Sequence, residues 1–303
     1  MYKRRILVPV NFTSQSDAAL HYAMKIASAI NGMITCLYIN EEPDRITGQF
    51  LTKDISDRIR RSAEDTLSVK ANEILNTENK TPFEVIVTTG KVHRKIREKA
   101  KDLNVNLIVM GKSDSEDSQH SQLGSNTNRI IAKANIPVLT VSNTKHIGSS
   151  RILLPLDLSK TIEVKLLKAI ELSKMLGSQV NVFTVMPPDW VSVKLKFQKR
   201  LKEIQQYFNM EGIICSIQLK VSGNSIPEEI LAQARKMGAG MIMMMTQQEK
   251  SITDLFIGSN VQQIINESEV PVLSIIPTVR TNEISNTAVW SEILNPIPLI
   301  QMN

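Results

Sequence analysis

The sequence predicts an α/β protein of two tandem doubly wound domains, each a five-stranded parallel sheet in the order 3-2-1-4-5 with helices on both faces. Two observations predict it. Short apolar runs alternate with amphipathic stretches of helical period, the pattern of strands joined by crossover helices. One set of landmarks then occurs twice. Leu107-Ile108-Val109-Met110, Gly124-Ser125-Asn126 and Ile136-Pro137-Val138-Leu139 return 134 residues later as Met241 to Met245, Gly258-Ser259-Asn260 and Val270-Pro271-Val272-Leu273. Arg5 to Thr13 returns as Arg151 to Ser159 at an offset of 146, so the second copy is twelve residues shorter between these points. The repeat places one domain at residues 1–143, a second at 149–279 and a tail at 280–303.

In the first copy Ile6 to Val10 reads as a strand, and Ser14 or Ser16 as the cap of a helix with Leu20, Met24, Ala27 and Ile30 on one face, stopped by Gly32. Ile34 to Ile39 is the next strand. After a loop with Pro43 and Gly48, the four-residue steps Leu51, Ile55, Ile59, Ala63, Leu67 and Ala71 predict a long amphipathic helix. Phe83 to Thr88 is a third strand, and Gly90 introduces a helix with Ile96, Ala100 and Leu103 inward. Leu107 to Met110 is a fourth, buried strand. A polar loop follows, then a helix capped by Ser125 or Asn126 with Ile130, Ile131 and Ala134 inward, then a strand from Ile136 to Val141.

The second copy repeats the path. Its strands are Ile152 to Leu156, Val180 to Val185, Ile213 to Val221, Met241 to Met245 and Val272 to Ile276. Its first helix runs through Leu166, Leu167 and Ile170 to Gly177. Another buries Val193, Phe197, Leu201, Ile204 and Phe208, and a third lies around Pro227, Ile230 and Ala234. Lys194, Lys196, Lys199, Arg200 and Lys202 read as the solvated outer face of the second of these.

Composition removes several function classes. Hydrophobic residues at 42% and charged residues at 22% exclude a disordered chain, and aromatics at 4% are too sparse for base-stacking platforms, so the net charge of +6 does not point to nucleic acid. Cys36 and Cys215 lie in apolar strands without a partner thiol, as in a reduced, cytoplasmic protein. No segment reaches membrane-spanning length, and the apolar run after Met1-Tyr2-Lys3-Arg4-Arg5 is too short for a signal peptide. His21, His93, His120 and His146 share no spacing, so neither a metal site nor a catalytic dyad is expected. No nucleophile elbow or Walker lysine occurs, and an enzyme is not indicated.

In such sheets ligands bind beyond the carboxyl ends of the strands, where the strand order reverses. That places Val10 to Thr13 opposite Gly111 to Asn126. Here both halves resemble the universal stress protein domain, over about residues 3 to 279. The resemblance implies a G-x2-G-x9-G-(S/T) loop around the phosphates of ATP and an aspartate after the first strand that holds the nucleoside. Glycine lets backbone N–H groups approach phosphate, and a helix N-terminus adds partial positive charge.

By this resemblance the first pocket is lined by Pro9, Asn11, Ile39, Met110, Gly111, Gly124, Ser125 and Asn126, and the second by Asp157, Val185, Gly258, Ser259 and Asn260. Each copy departs from the pattern. In the first, Asp114 replaces the second glycine, with Glu116 and Asp117 close by and Lys112 the one full positive charge, while Asn11 stands for the aspartate. Like charges about 4 Å apart repel by roughly 4 kcal/mol at an effective dielectric near 20, so ATP or another adenine nucleotide would be held weakly. In the second copy Asp157 is kept, but Met245 and Gln248 replace the two leading glycines. Gly124-Ser125-Asn126 is equally explained as a helix cap without ligand.

The expected function is that of a tandem universal stress protein acting through partner binding in regulation or protection. The alternatives are a slow ATPase using the first pocket, or an apolar-ligand carrier, hinted at by Met245. The resemblance implies that the fifth strands pair the two copies as an internal pseudo-dimer and leave other faces for a homodimer. The tail, with Trp290, Ile293, Leu294, Ile297, Leu299 and Ile300, is expected to cover apolar surface of this or another chain.

Overall fold

A computed structural model describes residues 4–41, 53–75, 81–112, 123–142, 150–158, 162–246 and 258–275. Asp114, Glu116, Asp117, Gln248, His120, His146 and the tail lie outside the described residues. The chain divides into two compact units between residues 142 and 150.

The first unit holds β1 (Arg5–Val10), α1 (Ser14–Ile30), β2 (Met33–Asn40), α2 (Lys53–Leu75), β3 (Phe83–Thr89), α3 (Val92–Asp102), β4 (Leu107–Gly111), α4 (Ser125–Lys133) and β5 (Val138–Val141). All strand pairs are parallel, and the order is β3-β2-β1-β4-β5. β1 and β4 are central and fully apolar along their buried positions, as a strand covered on both faces must be. α1 packs on β1 and β4 beside α2, and α3 packs against α4 in the other layer. At the start of the strands Arg5 forms an ion pair with Glu84, to which the buried Thr35 also donates at 2.8 Å.

The second unit holds β6 (Arg151–Pro155), α5 (Glu163–Leu176), β7 (Gln179–Met186), α6 (Lys194–Met210), β8 (Cys215–Val221), α7 (Ile226–Met237), β9 (Met241–Met245), α8 (Ser259–Glu267) and β10 (Val272–Ile275). Its parallel order is β8-β7-β6-β9-β10, the same path as the first. A 3₁₀ turn over Pro188–Val193 precedes α6, whose Phe197, Leu201, Ile204 and Phe208 are buried. The counterpart crossover α2 is 23 residues long against 17 for α6, and buries Ala63, Leu67 and Ala71. Met243, Met244 and Met245 are core residues of the buried strand β9.

Several details differ from the sequence expectation. The cap of α1 is Thr13, whose side chain accepts from the Ser16 amide, and the helix ends on Asn31 in the left-handed region, one residue before Gly32. α1 buries Ala19, Ala23 and Ile26 alongside Leu20 and Ala27, whereas Met24 and Ile30 are only half-buried. Small alanines let the helix sit close to the sheet on a slightly rotated face. Ile59, placed inward, is 37% exposed. Arg200 is buried rather than solvated, and burial pushes its guanidinium down, against the attraction of Glu203. α4 and α8 are capped by Gly124 and Gly258 without a side-chain bond, so Ser125 and Asn126 are first-turn residues, not caps.

Both cysteines are free and buried, one on β2 and one at the start of β8, and burial pushes each thiol up to about 12. No described helix is long and apolar enough to cross a membrane.

Candidate functional site

β1 and β4 are neighbours through Ile6↔Leu107 and Leu7↔Ile108, while their connections leave on opposite faces of the sheet. Their carboxyl ends therefore open a crevice. A cavity of about 470 Å³ lies there, within the roughly 300–1,000 Å³ of small-molecule sites. It brings together Pro9, Asn11, Ile39, Met110, Gly111 and Asn126 of the expected set. Gly124 and Ser125 do not line it. Leu37, Ile39, Val92, Ile96 and Met110 supply apolar wall, and Asn11, Ser16, Glu41 and Asn126 supply polar groups. That composition can take a small ligand that is apolar on its faces and polar at its edge. Val92 and Ile96, from the start of α3, were not expected in the site, because the spacing of Ile96 marks it only as core.

The turn after β1 is shaped by the residues next to the cavity. Asn11 Oδ1 accepts from the Thr13 hydroxyl at 2.7 Å, which commits that lone pair to the turn. Phe12 adopts φ 63°, a left-handed conformation rare for a bulky side chain. Its ring lies 5.1 Å from that of Tyr38, a residue of the cavity wall, and Lys70 stands 5.9 Å over it. Lys70 is held by Asp17 at 2.8 Å. The rim of the cavity is thus tied to α1 and α2 together.

Gly111 has a packing reason of its own. A Cβ there would lie 2.9 Å from Cβ of Gln15 and 3.3 Å from its backbone carbon, so the glycine lets α1 seat on the end of β4. Gly258 in the second unit is different, since a Cβ there would meet nothing within 4 Å. Lys112 is buried, and burial pushes its ammonium down to about 8.

In the second unit Asp157 and Val185 stand at the ends of β6 and β7, and Gly258, Ser259 and Asn260 at the start of α8. The residue that marks this end of the sheet was not among those expected. Lys165, on α5, is fully buried and donates to the Pro155 carbonyl. Burial pushes its ammonium down to about 8, with Asp157 opposing the shift. Pro155 and Asp157 are the counterparts of Pro9 and Asn11, so a protein cation lies against the strand end whose equivalent lines the first cavity. Ala19 holds the corresponding place in the first unit.

Comparison with known proteins agrees with the tandem architecture. The model of the universal stress protein family matches residues 1–142 and again 148–275. Universal stress protein G of Shigella flexneri is 27% identical over 146 residues, which is 46% of this chain and 99% of that protein. Among solved structures, a universal stress protein from Archaeoglobus fulgidus DSM 4304 covers 90% of this chain and 98% of its own, with TM-score 0.73 and 20% identity. A functionally unknown protein from Pseudomonas aeruginosa PAO1 covers 90% of this chain and 92% of its own at TM-score 0.62 and 14% identity. These two show the fold alone. With both halves matched over nearly their whole length, the chain belongs to the universal stress protein family and carries two of its domains in tandem.

Proposed function

We propose that this chain is a non-enzymatic, cytoplasmic stress-response protein acting through partner binding, in which the first domain takes an adenine nucleotide weakly and the second is a silent copy. The observation that carries this reading is the contrast at the two strand ends. The first has a cavity with apolar walls and a polar rim, and the second has Lys165 against Pro155. Two copies in one chain supply both halves of the internal pseudo-dimer that the family resemblance implies.

The test is to purify the chain without added nucleotide, denature it and identify what is released, then titrate adenosine, AMP and ATP by calorimetry. Weak adenosine binding, strengthened for ATP by Asp114→Gly and abolished by Met110→Trp, is the expected result. Steady release of phosphate from ATP would favour the slow ATPase instead. Absence of any adenosine binding would end the nucleotide reading.

A further inference from the structure

We propose that the cleft between α3 and α4 of the first domain is an anion site for a ligand carrying a chain of two or more phosphates. The cleft, of about 720 Å³, is lined by Lys91, Arg94, Arg129 and Lys133 against a single carboxylate, Glu41. All four cations are exposed, and none forms an ion pair among the described residues. Other lysines of α3 do: Lys95 pairs with Glu98 at 3.0 Å and Lys99 with Asp102 at 4.0 Å. The helix neutralises part of its charge with its own carboxylates and leaves the cations of the cleft unmatched.

Their placement also opposes helix electrostatics. The N-terminus of a helix is its positive end and favours anions. α3 has no acidic residue in its first turn, and Lys91 and Arg94 stand there instead. The mutual closeness of the cluster is felt at His93, whose imidazole is pushed down by burial first, then by Arg129, with Arg94 and Lys133 adding to it. A bound anion would relieve all of these repulsions at once. Arginine forks and lysine ammonium groups spread over one cleft match a row of phosphates better than a single carboxylate, which could neutralise only one of them.

The second domain shows that the fold does not require this charge. At the offset of 134, where Ile96 meets Ile230 and Ile130 meets Ile264, Lys91 becomes Ser225, Arg94 becomes Glu228, Arg129 becomes Gln263 and Lys133 becomes Glu267. The same two helices form there with acids in place of two of the cations. The cleft shares Glu41, Val92 and Asn126 with the adjoining cavity, so one ligand could reach into both. The anion site nevertheless stands whether or not a nucleoside occupies that cavity.

The full chain is titrated with tripolyphosphate, with adenosine and with ATP, by calorimetry at low and moderate salt. The cleft variant Arg94→Glu/Arg129→Gln/Lys133→Glu copies residues that the second domain already tolerates. A control, Lys194→Glu/Lys196→Glu/Lys202→Gln, removes three exposed cations from α6 and lowers the net charge by the same amount. The expected result is at least a tenfold loss of tripolyphosphate affinity in the cleft variant, a shallower salt dependence and an unchanged control, with native circular dichroism in both. Equal losses in the two variants, or no tripolyphosphate binding by the unaltered chain, would overturn the proposal. ATP that binds tighter than tripolyphosphate and displaces both adenosine and tripolyphosphate would identify the phosphates as part of a nucleotide, and ATP that displaces tripolyphosphate alone and binds no tighter would identify a free polyphosphate. Loss of adenosine binding alone would refute the nucleotide reading and leave the anion site standing.

Discussion

The two domains share their apolar layout and much of their backbone hydrogen bonding, and differ in the side-chain contacts at the ends of their strands. In the first, Arg5 reaches Glu84 across the sheet; in the second, Arg151 donates to the Met237 carbonyl at 2.7 Å and Asn181 to Ser216 at 2.8 Å. The first leaves a cavity at the ends of β1 and β4, while the second brings Lys165 to the end of β6. Strand order, crossover path and buried faces survive because they depend on volume and period, which many apolar residues satisfy. Polar contacts at the strand ends are free to diverge, and it is there that one copy can keep a ligand while the other gives it up.

The comparison is tested most strongly at the crossover helices. Phe208 on α6 and Leu67 on α2 are both fully buried. Phe208→Ala should cost roughly 3–5 kcal/mol and Leu67→Ala roughly 2–5 kcal/mol. Each should lower the urea midpoint of its own domain and leave the other in place. A single shared shift would mean that the two units unfold as one.

Glycine gives the next largest contrast. Gly111→Ala drives a methyl into Gln15 and should cost roughly 1–3 kcal/mol, whereas Gly258→Ala meets open space, its entropic gain offset by a poorer helix cap, and should stay within about 0.5 kcal/mol of neutral. Equal effects in denaturant titrations would remove the packing account of Gly111.

Lys165 gives the second domain a pH dependence, as Lys112 gives one to the first. Its ammonium is lowered from 10.5 to about 8, so below pH 8 the charge is present in both folded and unfolded chains and its burial penalty acts in full. Between pH 8 and about 10.5 the unfolded chain retains a proton that the folded one has lost, and stability rises. Lys112 acts in the same direction, while the thiols of Cys36 and Cys215 oppose it from about pH 9, so the effect is read as a difference between variants. Lys165→Met should gain roughly 1–2 kcal/mol at pH 7, the lost bond to Pro155 offsetting part of the relief, and the gain should vanish by pH 10.5. A variant less stable at pH 7 would show that the ammonium is a net support.

The smallest effect lies at the first helix of each domain. Thr13 caps α1 through its side chain, whereas α5 begins at Ile162 with no such bond. Thr13→Ala should therefore cost roughly 1 kcal/mol. Thermal unfolding followed by circular dichroism measures it, and no change would mean that Asn11 already holds the turn.

The apolar runs made the ten strands of the described residues legible, and the periodicity of Phe197, Leu201, Ile204 and Phe208 located a buried helix face. Six of the eight first-pocket residues line one cavity because β1 and β4 end side by side. Lys165 was illegible for a simple reason: a lysine in a helical pattern reads as solvent-facing, and only the packing of α5 places it inside. Arg200 escaped in the same way. Gly111 read as part of a phosphate loop, although its contact with Gln15 is a three-dimensional requirement. The cleft cations were missed because Lys91 and Arg94 lie far along the chain from Arg129 and Lys133, and only α3 packing on α4 unites them.

The placement of the two thiols has a practical consequence. One sulfur lies inside each domain, protonated and shielded at neutral pH, so alkylating reagents or peroxide can reach it only when its sheet opens. Peptide mapping after timed labelling would then say which half of the molecule came apart first, without any added probe. An oxidative stress that leaves both sheets closed would pass without a mark on either cysteine.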